Sequence, residues 1–186
     1  MVLDIVNELV QHGADVNLAG GPSGLTPLTH ASASGHLDVV QELLALGALI
    51  DAPTESGWTA LYYAIREGHM AIFNALLQRG ASASTFTVHA RASHLFIACD
   101  IGALDMVQAM LAHGAEVDKP TLHGDTPLFV TCDKGHLEVV RELIQNGANV
   151  NSKTFVRDRE PRCHSTHEVA GLEIAAANCR YEWAFI

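Results

Sequence analysis

Glycines recur along this chain at a near-constant interval, and the interval limits the fold more than any other feature. Gly35, Gly68, Gly102 and Gly135 stand 33, 34 and 33 residues apart, and Gly13, Gly47, Gly80, Gly114 and Gly147 stand 34, 33, 34 and 33 apart. The unit between them is clearest in residues 124–148, GDTPLFVTCDKGHLEVVRELIQNGA. It reads as a turn, a short helix, a glycine stop, a second helix and another glycine stop. One such unit cannot bury its apolar face alone, so tandem copies stack into a linear array. The fold class that follows is all-α: a solenoid of stacked helix-turn-helix units.

Taken in order, residues 1–17 form a half-repeat whose Val2, Leu3, Val6, Leu9 and Val10 make an apolar stripe at helical spacing before Gly13. Full repeats follow at about 18–52, 53–84, 85–118 and 119–151. In the first, Thr26 caps a short helix that Pro27 opens. Val39, Val40, Leu43 and Leu44 give the second helix its apolar face, and Gly47 stops it in a left-handed conformation. The third copy is irregular, with one extra residue in its connection, Arg91 at the turn position of Gly24, Gly57 and Gly124, and Ser93-His94 in place of Thr-Pro. After Asn151 the rhythm breaks. Residues 152–169 read as an inserted polar loop, and 170–186 as a partial repeat that stops inside its second helix, which suggests an excerpt from a longer array.

Composition narrows the function. A hydrophobic share of 48% with 17% charged residues marks an ordered chain. A formal net charge of -10 argues against a nucleic-acid or anionic-membrane surface, because both need basic footprints. The acidic balance either favours a basic partner or only keeps the protein soluble. Neither a basic-then-apolar leader nor an apolar run of the ~20 residues that span a bilayer is visible. Cysteines at 99, 132, 163 and 179 make no disulfide framework, so an intracellular home, cytoplasmic or nuclear, is expected.

GLTPLTHASASGHLDVVQELLALGA, GWTALYYAIREGHMAIFNALLQRGA and GDTPLFVTCDKGHLEVVRELIQNGA resemble ankyrin repeats. The resemblance covers nearly all of the chain outside about 152–169. It implies an ankyrin-repeat solenoid, L-shaped in section, with first helices on a concave side, second helices behind and hairpin-like fingers between repeats. It also implies a protein-binding module that works through finger tips and the concave helix surface. The family's usual histidine after Thr-Pro-Leu is replaced by Thr29, Tyr62, Phe96 and Phe129, so apolar packing is expected to take over a hydrogen bond that braces repeats in relatives.

The register puts Leu25, Glu55, Trp58, Arg91, His123 and Asp125 on finger tips, and Arg66, Glu67, Asp133 and Lys134 at the open ends of first helices. Trp58 either anchors a partner or packs along its own finger. The charged residues either read a charged partner or form a solvated face, and Arg91 is either a specificity residue or neutral drift. Asn17, in LVQHGADVN, resembles asparagines that hydroxylases modify in ankyrin repeats; the alternative is that it satisfies loop backbone groups. Asn151 fits less well.

Cys163, His164, His167 and Cys179 are zinc-ligand types at a spacing that matches no common zinc pattern, so no metal site is assigned. Cys99 and Cys132 are read as core thiols one repeat apart, and His36, His69 and His136 as structural helix-start residues. No phosphate loop, nucleophile elbow or HExxH motif is present, and Ser32, Ser34 and His36 have no orienting pocket. The expectation is a non-catalytic, cofactor-free, monomeric array that binds another protein. The alternative is a regulatory or spacer segment of a larger enzyme, channel or ligase adaptor.

Overall fold

A computed structural model describes residues 2–83 and 92–152. Nine helices stand in order among them: α1 (Val2–Gln11), α2 (Pro27–Ala33), α3 (Leu37–Ala45), α4 (Ala60–Arg66), α5 (Met70–Gln78), α6 (His94–Ile101), α7 (Leu104–Ala112), α8 (Pro127–Lys134) and α9 (Leu137–Gln145). The described residues hold no strand, only an isolated antiparallel bridge between Gly20 and Leu25.

Each first helix begins for a chemical reason. The hydroxyls of Thr26, Thr59, Ser93 and Thr126 accept hydrogen bonds from the backbone N–H groups of Thr29, Tyr62, Phe96 and Phe129 at 3.1–3.3 Å. Ser93 keeps the hydroxyl that the cap needs, so the third copy starts its helix normally despite its changed sequence. The stops are equally local, because Gly47, Gly80, Gly114 and Gly147 all take φ between 81° and 90° after their second helices.

Packing runs along two rows. First helices contact one another in sequence, α2 with α4, α4 with α6 and α6 with α8, and each also packs on its own second helix. In the second row α1 packs on α3, α3 on α5 and α7 on α9, while α5 and α7 touch less closely than these pairs. One continuous core results, with Leu28, Leu61, Leu95 and Leu128 at one register and Val40, Phe73, Val107 and Val140 at another. The stripe on α1 is less covered than its pattern implies. None of its residues is buried, and Val2 and Leu9 are more than half exposed; α3 is the one described helix that packs closely on α1.

Polar latches tie the loops of successive repeats. Asn17 Oδ1 accepts from Leu49 N at 2.7 Å, Asp51 accepts from Ser82 N at 3.1 Å and Asp118 accepts from Asn149 N at 3.0 Å. A second series runs through the histidines. His69 Nε2 donates to the Ala33 carbonyl at 3.2 Å, and His136 Nε2 to that of Asp100 at 3.1 Å. Their rings lie against the left-handed glycines of the preceding repeat: a Cβ on Gly35 would sit 2.9 Å from His69, and one on Gly102 only 2.6 Å from His136.

At the register of Thr29, Tyr62, Phe96 and Phe129 the hydrogen bonds to described residues stay within each repeat. Polar ties remain, but they come from other positions. Besides His69 and His136, the buried His94 pairs with Thr59 Oγ1 at 3.0 Å, from the position that proline holds elsewhere.

Candidate functional site

Fingers two and four share one construction. Thr54 N donates to the Trp58 carbonyl and Thr121 N to that of Asp125, both at 2.9 Å. The threonine hydroxyl of each finger accepts a backbone N–H in return, from Trp58 at 3.1 Å and from Asp125 at 3.2 Å. The first finger spans one residue more, closed by the reciprocal Gly20–Leu25 pair. That bond pattern leaves Leu25 half-buried, not fully displayed at a tip. Glu55 and His123 are exposed, and Glu55 lies over Gly24 of the preceding finger.

Trp58 is the residue around which the face is ordered. Its ring stacks on Tyr62 at 4.9 Å between centroids with an interplanar angle of 20°, and meets Tyr63 edge-on at 5.9 Å. The two tyrosines also meet edge-to-face, at 5.5 Å. Arg66 folds over all three rings, 5.1 to 5.6 Å from their centroids. Glu67 Oε1 then accepts from Arg66 Nε at 2.8 Å and Nη2 at 2.6 Å.

Both sequence readings of Trp58 thus have a physical counterpart, since it packs on its own helix and remains partly open to solvent. Burial works against the Arg66 charge. Hydrogen bonds to Glu67 and Tyr62 outweigh it, and the guanidinium pKa is raised. Burial likewise raises the pKa of the Tyr63 phenol, opposed by the adjacent Arg66 charge.

Among the described residues the other charged candidates divide into paired and unpaired. Lys134 reaches Asp100 of the preceding repeat at 3.6 Å, while Asp133 stands exposed beside it. Arg66 and Lys134 are therefore both engaged by acids of the protein itself. Ile101, which the register also puts at an open first-helix end, is 40% exposed between these two pairs in the row of first-helix ends. Its signal was in the register, as an isoleucine where the other repeats carry Ser34, Glu67 and Lys134.

Several candidates resolve otherwise. Asn17 is half-buried with its amide oxygen committed to Leu49. Cys99 is fully buried, and burial pushes its thiol up to about 12, opposed by its side-chain interaction with Thr131. Cys132 is half-buried and packs against the same core, so of the two only Cys99 is fully enclosed. Arg91, the 153–186 tail and with it Cys163, His164, His167 and Cys179 lie outside the described residues. Among the described residues no histidine, cysteine or acid cluster is placed to hold a metal, and no helix is long and apolar enough to cross a membrane.

Capped first helices, left-handed stops and cross-repeat latches define a class of linear helical array. The family model for ankyrin repeats (3 copies) matches residues 2–87 and 85–154. The chain belongs to the ankyrin repeat family. No curated protein matches it. Ankyrin repeats are in general protein–protein interaction modules and typically non-catalytic.

Proposed function

We propose that this chain is a non-catalytic docking module whose partner protein seats on α4 and the adjoining fingers. The observation that carries the reading is the Trp58–Tyr62–Tyr63–Arg66–Glu67 cluster. A tryptophan already held by two rings and an ion pair loses little side-chain freedom on binding, so its contact area converts efficiently into affinity. Flanking residues Glu55, His123, Asp125, Asp133 and Lys134 supply a polar rim, with Leu25 contributing from the first finger. The array binds as a monomer, offering its extended first-helix face.

Affinity capture with residues 1–186 as bait tests the reading. A second bait carries Trp58→Ala, and circular dichroism establishes that both are equally folded. A protein retained by the first bait and lost or weakened at least about tenfold on the second is the expected result. Equal retention by both would remove α4 from the docking surface.

A further inference from the structure

Repeat register exposes one seam that is built differently from its neighbours. Between the first and second repeats, His69 lies against Gly35 and donates to the Ala33 carbonyl. Between the third and fourth, His136 lies against Gly102 and donates to the Asp100 carbonyl. Between the second and third the corresponding residue is Ala103, which caps α7 with no side-chain hydrogen bond. Gly68, the corresponding glycine, has φ 75° and nothing within 4 Å of where a Cβ would stand. The Arg66 carbonyl, equivalent to those of Ala33 and Asp100, accepts no hydrogen bond from any described residue. The same seam is where α5 and α7 touch less closely than the other packed pairs of the second row.

The chemistry of this opening favours a cation. Its acceptor is a carbonyl in the last turn of α4, where the helix dipole places partial negative charge. Glu67 follows directly, and only one of its carboxylate oxygens is recorded in bonds to Arg66. The nearest base, Arg66, is held over the aromatic rings and so faces away from the role that an imidazole N–H fills in the neighbouring seams. Gly68 is exposed and Ala103 half-buried, so a side chain arriving from solvent can reach the carbonyl.

We propose that the Gly68–Ala103 seam receives a lysine or arginine side chain of the docked partner, in the place that the imidazoles of His69 and His136 occupy in the adjoining seams. The inserted N–H group donates to the Arg66 carbonyl and its charge pairs with Glu67. An aliphatic or aromatic residue of the same segment rests on Trp58 at the other end of α4. The partner segment is thus basic and amphipathic, which suits a face whose own two bases are already paired. This inference rests on the docking reading above.

The discriminating variant is Ala103→His, because it supplies the protein's own imidazole to the seam and should leave the array folded. A phage-displayed random dodecapeptide library is selected on the full 186-residue chain. The enriched peptides are then titrated against the original chain, Ala103→His, Ala103→Ser and Trp58→Ala. The proposal expects selected peptides to contain a lysine or arginine required for binding, to weaken at least about tenfold on Ala103→His, and to hold on Ala103→Ser. Peptides that lose affinity on Trp58→Ala but not on Ala103→His would overturn the seam inference and leave the α4 docking reading standing. Peptides indifferent to both variants, or no enrichment at all, would overturn both.

Discussion

At the scale of single residues, His94 makes the sharpest statement about stability. It is buried at the interface of the second and third repeats, and burial lowers its pKa to about 4, with hydrogen bonds to the Ser82 and Ala83 backbone opposing the shift. The unfolded chain binds this proton near pH 6.5, whereas the folded chain resists it until about pH 4. Stability from His94 is therefore complete above pH 6.5 and is lost as pH falls toward 4, by roughly 3 kcal/mol at most. Urea unfolding at pH 7 and pH 5 should show the loss in the original chain and a smaller one in His94→Gln. An equal drop in both would assign the pH dependence to other groups.

A second residue-scale prediction concerns the glycines. Gly102→Ala and Gly47→Ala both force a left-handed alanine, costing about 1–2 kcal/mol each. Only Gly102 also meets a histidine ring at 2.6 Å. Gly102→Ala should therefore be the more damaging in thermal unfolding. The excess should shrink in a His136→Ala background; if it persists there, the ring is not its cause.

At the scale of elements, the helices and their caps were legible in the sequence because each depends on local chemistry. Thr26, Thr59, Ser93 and Thr126 announce a helix start by a hydroxyl, and the glycines announce the stops by a backbone angle few other residues accept. Ties between repeats were harder to read, since they join residues more than 30 positions apart. His94 looked like an irregularity in a Thr-Pro motif, yet its ring reaches Thr59 in the preceding repeat. Trp58 was visible as a finger residue, but its stacking on Tyr62 and the position of Arg66 depend on side-chain directions that spacing alone does not give. Cys132 matches Cys99 in register and differs in burial: α6 packs between α4 and α8, whereas among the described helices α8 has a first-row neighbour on one side only.

Two predictions belong to this scale. Ala103→His should stabilise the array by about 1 kcal/mol, through one added cross-repeat hydrogen bond to the Arg66 carbonyl. Equilibrium denaturation checks it, and a destabilised variant would mean that the seam cannot accept a ring. Asp118→Ala removes the acceptor that Asn149 N uses at 3.0 Å. It should destabilise the array by about 1 kcal/mol, with faster amide exchange at Asn149; unchanged exchange there would show that the latch is not maintained in solution.

At the scale of the whole molecule, the two helix rows have different roles. The second row and the latches hold the repeats in line, while the first row presents α4 with an ordered aromatic cluster and a polar rim. An extended, prearranged face of this kind suits a protein partner better than a small substrate, which needs a concave, largely enclosed site. The most direct measurement is amide hydrogen exchange on the chain alone and on the captured complex, compared peptide by peptide. The account predicts new protection over residues 54–68, spanning the second finger, α4 and its glycine stop. Protection confined to α3, α5 and α9, with residues 54–68 unchanged, would contradict it and move the docking surface to the opposite row.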